Sequence, residues 1–327
     1  MFTKDPKWIT ILAALTIGYN AWGMIPVSET EDIPDFYDTI TYHIQHCSPD
    51  TIAINHGFIH RAPIKWWLDC ASFHWFHNVR ILPMILNIGV MPLVYLLALR
   101  ITGNRLTAFI ALNAFLLNPI WMAWKNSITY DQTWTFFLLL SLVLLYSPRL
   151  KALSAPVLML SILSKSLTVL FVPMYLYMVW TGHHTRTAKI LITVSLVGIS
   201  SAGITLLYPN MDTFVGNNVH FRADHIEDAI AGNLAALWEV TPFMLGVVGI
   251  MTMFRCRAFV GDRKLVAVWM LGILISTPLI YLFTDHATFT YRYVQFAAFL
   301  SILFGMAVAQ LGNFVLESRL RLTPKAG

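Results

Sequence analysis

The stretch from Arg149 to Lys189 reads RLKALSAPVLMLSILSKSLTVLFVPMYLYMVWTGHHTRTAK, and how it is read sets the number of membrane crossings in the chain. Between Ala152 and Trp180 lie 29 residues with a single charge, Lys165. One helix needs about 20 apolar residues to cross a hydrocarbon core ~30 Å thick, so the run is long for one crossing and short for two. Its flanks decide. Arg149 and Lys151 precede it and Arg186 and Lys189 follow it, and basic residues collect on the cytoplasmic side of membrane proteins. The reading therefore puts both ends inside and makes the stretch a hairpin of two short helices with Lys165 near its outer tip. Each arm, roughly 14 residues, reaches ~21 Å at about 1.5 Å per residue, which leaves the tip below the far surface.

Eight further apolar runs accompany the hairpin: Trp8–Val27, Ile81–Leu99, Leu106–Met122, Thr133–Tyr146, Ile190–Tyr208, Val240–Phe254, Leu265–Phe283 and Val294–Leu316. The expected fold is an all-α polytopic membrane protein with about ten transmembrane helices, one transmembrane domain over residues 1–327, and both termini cytoplasmic. Composition agrees. The chain is 57% hydrophobic and 12% charged, whereas soluble domains carry charge on roughly a quarter of their residues. A soluble enzyme, a secreted disulfide scaffold and a disordered linker are excluded as classes. Lys4 and Lys7 precede the first run and no small-residue cleavage site stands before Ser28, so it reads as a retained anchor rather than a signal peptide. This topology puts 15 of the 22 bases inside with only 3 of the 17 acids. The formal charge of +5 is thus a topology signal and a contact with anionic headgroups, and no nucleic-acid partner is expected.

Two large outer segments remain, residues 28–79 and 209–239. The first carries seven acids against Arg61 and Lys65, and five of the acids fall between Glu29 and Asp38. Such runs are most often solvated loops; this one follows a membrane exit and precedes an amphipathic stretch, so its acids are placed to overhang an outer cavity. Asp35 to Gln45 (DFYDTITYHIQ) spaces Phe36, Ile40 and Ile44 as an interfacial helix. Pro63–Phe76 holds Trp66, Trp67, Phe73, Trp75 and Phe76, a composition suited to the headgroup zone. Cys47 and Cys70 share the same loop, where an oxidising compartment permits but does not require a disulfide. Cys256 lies on the cytoplasmic side.

Ionisable groups at membrane depth are functional candidates. Asp131, in NSITYDQTW, stands at the outer mouth of the third and fourth spans, with Lys125 six residues before it. Lys165 has no acid near it in sequence and would lose its proton or take an anion. Arg80 and Arg292 enter the second and last spans from the outer side. An interfacial ion pair and snorkelling account for these one by one; together they point to an anionic ligand near the outer leaflet. Histidine offers a competing reading. The pairs His43/His46, His56/His60 and His74/His77 have spacings that can share a metal on a helix, but the His-x-x-His-His boxes of membrane desaturases are missing. A phosphate loop, a G-x-S-x-G elbow and a dinucleotide fingerprint are also missing.

In the order of these features the chain resembles the C-type glycosyltransferase superfamily, in particular the branch of protein O-mannosyltransferases and the lipid A aminoarabinose transferase that uses polyprenyl-phosphate sugars. The first outer loop of that branch opens with an acidic pair, here Pro34-Asp35-Phe36-Tyr37. An amphipathic helix follows, and then a Pro-aromatic segment, here Ala62-Pro63-Ile64-Lys65-Trp66-Trp67. An Arg at the second span corresponds to Arg80, and a basic cytosolic turn to Arg100–Arg105. An acid after a Pro-containing span end corresponds to Asp131 after Pro119. A Lys inside a hydrophobic hairpin corresponds to Leu163-Ser164-Lys165-Ser166, and an Arg-Tyr before the last span to Arg292-Tyr293. The acidic pair is reduced here to one carboxylate, with Glu31, Asp32 and Asp38 as alternatives for the second, and the chain ends in a basic tail without the larger members' C-terminal domain.

The resemblance implies inverting transfer of a sugar from a polyprenyl-phosphate donor to an acceptor hydroxyl at the extracytoplasmic face. A phosphate departs as a stable anion and needs no acid, so one carboxylate base is enough; glycoside hydrolases need two. Asp35 is the expected base and Asp131 its support or the acceptor's. Lys165 and Arg292 would hold the donor phosphate with Arg80 and Arg61 behind them, and Tyr37, Asp38 and Tyr293 would line the pocket. No cofactor is implied beyond the lipid-linked donor, and a divalent metal is left open. The partners would be membrane lipids, the donor, and a glycan, lipid or protein acceptor. Because no Asn-x-Ser/Thr site occurs, the inner membrane of a prokaryote is favoured over the endoplasmic reticulum. The alternatives are a non-catalytic subunit or flippase of the same fold and, behind them, a His-rich metal-dependent oxidoreductase.

Overall fold

The computed structural model describes residues 6–25, 47, 63–126, 130–182, 184–207 and 294–322. These residues are all-helical, with 85% of them in helices and no strand among them. In chain order the helices are α1 (Trp8–Trp22), α2 (Pro63–Phe76), α3 (Ile81–Thr102), α4 (Arg105–Leu116), α5 (Pro119–Trp124), α6 (Tyr130–Leu145), α7 (Ser154–Ser164), α8 (Val172–Thr181), α9 (Arg186–Leu207) and α10 (Val294–Leu322). Short 3-10 turns cover Lys151–Leu153 and Ser166–Phe171. Among the described helices, α3 alone is both long and apolar enough to cross a membrane by length and composition. The expected spans Val240–Phe254 and Leu265–Phe283 lie outside the described residues.

The helices stop where their chemistry makes them stop. Gly103 ends α3 with a left-handed φ of 65° and donates its N–H to Leu99 O at 2.8 Å, a closure that glycine adopts without a Cβ penalty. Asn104 then caps α4, its side chain accepting from Thr107 N at 2.9 Å. The run Leu106–Met122, expected as one span, is broken after Leu116. Asn118 caps a new helix by accepting from Ile120 N at 2.9 Å, and Pro119 occupies its first turn, where a missing N–H costs nothing.

The stretch Ala152–Trp180 is broken into two short helices at Lys165. Helix α7 ends at Ser164, Lys165 is extended (φ −160°, ψ 118°), and the chain returns through the 3-10 turn into α8. The return is direct: the hydroxyls of Ser154, at the start of α7, and Tyr175, on α8, are hydrogen-bonded at 2.6 Å.

Helices α7, α6, α3, α4 and α10 pack successively side by side, and α10 also reaches α3, α5 and α6. The shared core holds Met91, Leu112, Phe115, Leu138, Phe171 and Phe299. At Gly305 the α10 backbone comes so close to α4 that a Cβ would lie 2.9 Å from Ala111 Cβ and from Thr107 O, an approach that only a residue without a side chain allows. The flanking helices α1 and α9 turn large apolar side chains outward, among them Ile11, Leu15, Tyr19 and Trp22 on α1 and Leu191, Val194 and Val197 on α9. Helix α2 lies across one end of the bundle, packed on α3 and α7.

Candidate functional site

Helix α2 is built on two faces. Lys65, Leu68, Asp69 and Ser72 recur at i, i+3, i+4 and i+7 and are all buried, so this stripe meets the bundle. Two of its members are charged, and their spacing lets Lys65 Nζ donate to Asp69 Oδ1 with both side chains closed to solvent. Burial pushes the Lys65 pKa below its ordinary value of 10.5, while the Asp69 charge and hydrogen bond oppose the shift. At the other end of α2, Ser72 Oγ donates to Asn78 O at 2.6 Å and accepts from Leu82 N at 3.0 Å, stitching α2 to α3. The turn between them uses His77 at a left-handed φ of 54°. Residue 47 is tied to α2 by a disulfide between Cys47 and Cys70, whose Cα atoms are 5.0 Å apart.

Beneath α2 three consecutive carbonyls, left without helical partners where α5 ends, each receive a donor from a different place. Gln132 Nε2 donates to Trp124 O at 2.8 Å, Asn87 Nδ2 to Lys125 O at 3.1 Å, and Arg80 Nη2 to Asn126 O at 2.8 Å. The orphan carbonyls of a helix end are thereby satisfied, and the end of α5, residues 124–126, is fixed against α3 and α6.

Three of the expected site positions fall at this end of the bundle. Arg80 is buried, stands immediately before α3, and holds Asn126 O. Asp131 is in the first turn of α6, where a negative charge is favoured by the helix dipole; its side chain lies outside what is described. Lys165 is half-buried at the break between α7 and the 3-10 turn. Ser161, four residues before it, donates to Trp134 O at 2.7 Å, which sets the hairpin tip beside the start of α6. The first half of α10 arrives at the same place: Phe299 stacks on Phe171 at 6.3 Å, and Phe171 meets Trp134 at 5.6 Å. Asp35, Tyr37, Asp38, Arg61, Arg292, Tyr293, the Asp35–Gln45 stretch and the pairs His43/His46 and His56/His60 lie outside the described residues. Among the described residues no three His, Cys, Asp or Glu side chains gather into a group that could hold a metal.

Lys65, Asp69, Asn87 and Gln132 were not anticipated as parts of this site. A signal for the first two was present. In PIKWWLDCAS the charges sit four apart on the stripe that also carries Leu68 and Ser72, which marks them as a pair on the inward face. Asn87 and Gln132 are polar residues in apolar helices, a sign that they have partners. Comparison with known protein families, with curated proteins and with solved structures finds no match to the chain.

Proposed function

We propose that the chain is a membrane glycosyltransferase of the C-type superfamily, moving a sugar from a polyprenyl-phosphate donor to an acceptor hydroxyl at the extracytoplasmic face with inversion. One observation carries this reading. Arg80, the backbone of Asp131, the half-buried Lys165 and the entry to α10 share one end of an all-helical bundle, under a helix that belongs to the acidic first loop. Cations to receive a departing phosphate and carboxylates to activate an alcohol are the two things the reaction needs, and a site of low water content strengthens both.

In this reading Asp35 takes the acceptor proton, Asp131 orients the acceptor or supports the base, and Lys165 and Arg292 hold the donor phosphate. Arg61 stands behind them. Arg80 contributes by fixing the turn through Asn126. The disulfide supports the orientation, because such bonds persist in oxidising compartments and Cys47–Cys70 ties the α2 end together. The outward apolar side chains of α1 and α9 support insertion in lipid, and the remaining crossings complete the ten-helix arrangement with cytoplasmic termini. Incubating the purified protein in nanodiscs with a panel of radiolabelled polyprenyl-phosphate sugars tests the proposal: label should leave the lipid for a water-soluble or acceptor-bound product. A flippase or non-catalytic subunit of the same fold would leave every label on its lipid.

A further inference from the structure

Helix α2 keeps its charges inside and its largest aromatic rings outside. Its two charged side chains, Lys65 and Asp69, are buried, while Trp67, Trp75 and Phe76 are 53%, 65% and 46% exposed. The two exposed indoles meet edge to face with ring centroids 6.4 Å apart, so they form one patch and are not scattered singly over the surface. The height of the patch is set by a hydrogen bond. Ser72 Oγ, from the helix turn between the two tryptophans, accepts from Leu82 N at 3.0 Å, which holds α2 level with the first turn of α3. Helix α3 has 22 residues and is about 33 Å long at ~1.5 Å per residue, against a hydrocarbon core ~30 Å thick. A crossing α3 therefore begins at the hydrocarbon boundary, and the α2 rings stand in the headgroup layer beside it. Ile85, one turn deeper on α3, is again a large apolar side chain left exposed.

Indole rings concentrate at this depth, where lipid accommodates the apolar ring and the headgroups and water accommodate the N–H. Because both α2 charges are turned into the bundle, seating the outward face among headgroups takes no α2 charge out of water. A water-soluble partner would have to displace headgroups to reach the same rings. We infer that the outward face of α2 docks on the lipid surface, with Trp67, Trp75 and Phe76 seated in the headgroup layer beside the start of α3. The inference rests on the reading of α3 as a membrane span. It also gives the proposed site a height: Arg80, two residues before Leu82, is held near the level of the lipid phosphates.

The test is electron paramagnetic resonance on the full chain in vesicles of phosphatidylethanolamine and phosphatidylglycerol. Single nitroxides are attached at Trp67→Cys, Trp75→Cys and, as the reference inside the bilayer, Ile85→Cys. All are made in a Cys256→Ser background with the Cys47–Cys70 disulfide intact. Collision with oxygen, which partitions into lipid, is compared with collision with a water-soluble nickel chelate. Calibrated against lipid nitroxides, the labels at 67 and 75 are expected within about 7 Å of the hydrocarbon boundary, with Ile85 deeper. If a labelled variant does not fold, the wild-type chain is photolysed with a phosphatidylcholine carrying a diazirine beside its headgroup, and the adduct is expected on Trp67–Phe76. Free access of the nickel chelate at 67 and 75, with Ile85 shielded, would place the face in water and overturn the inference. Exclusion of both probes there, or no adduct on α2, would mean that protein covers the face, and would overturn it equally. Free access of the nickel chelate at Ile85 would overturn both the inference and the reading of α3 as a span.

Discussion

Lys65 and Asp69 stand one helical turn apart on the inward face of α2 as an ion pair closed to solvent. A charge so buried is tolerated only with its partner: deleting one member of such a pair typically destabilises by 3–5 kcal/mol, whereas replacing both with apolar residues of similar size is close to neutral. Lys65→Met and Asp69→Leu should each lower stability by about 3–5 kcal/mol, and the double variant should recover most of the loss. Chemical unfolding in detergent followed by tryptophan fluorescence measures all three; additive losses in the double variant would mean that the two residues do not act as a pair.

The same pair gives stability a pH dependence of fixed sign. Burial holds the folded-state pKa of Lys65 below its ordinary 10.5, so between the two values the unfolded chain binds more protons than the folded one. Stability must then rise with pH through that window and level off above 10.5. The Lys65→Met/Asp69→Leu variant should lack the rise. A thermal midpoint that falls between pH 8 and pH 10 in the wild type, relative to that variant, would contradict the assignment.

Where α10 and α4 touch, space has run out. A Cβ at Gly305 would come within 2.9 Å of Ala111 N and of Thr107 O, and backbone atoms cannot turn aside. Gly305→Val should therefore cost about 1–3 kcal/mol through forced separation of the two helices, read as a lower midpoint of unfolding. Gly18→Val, with open space around it, is the control and should be nearly silent.

The disulfide makes a claim about both stability and sidedness. Cys47 and Cys70 are 23 residues apart, and closing a loop of that size is worth about 3 kcal/mol. Cys47→Ser/Cys70→Ser should lose that much. In a Cys256→Ser background, a membrane-impermeant maleimide applied to intact cells after mild reduction should label the chain. Labelling only after permeabilisation would place α2 on the cytoplasmic side and reverse the topology.

Much of this arrangement is legible in the residues, and the reasons for what is not are specific. The hairpin could be read because its two basic flanks demand one side and Lys165 interrupts an otherwise apolar run; the structure breaks α7 from α8 at that lysine. Pro63–Phe76 could be read as an aromatic stretch bounded by proline, and α2 has the same limits. Two of its charges are not solvated loop charges, because the spacing of Lys65 and Asp69 buries them together. The run Leu106–Met122 passes as one span on hydropathy alone, since hydropathy is blind to the Asn118-Pro119 start signal inside it. Gln132 and Asn87 stand out as polar residues in apolar helices, but what they bind is not legible: their partners are backbone carbonyls of residues 124 and 125, and only the fold brings those within reach.

The central claim is that a carboxylate of the first outer loop activates an acceptor above cations that receive the donor phosphate. Its most direct measurement is single-turnover transfer of sugar from a radiolabelled polyprenyl-phosphate donor by wild type, Asp35→Asn, Asp131→Asn and Lys165→Gln in nanodiscs. General-base catalysis is worth roughly 10²–10⁴-fold, so Asp35→Asn should retain donor binding and lose transfer by at least that factor. Lys165→Gln should weaken both binding and transfer. Transfer by Asp35→Asn at the wild-type rate, or no release of label by the wild type from any donor in the panel, would contradict it.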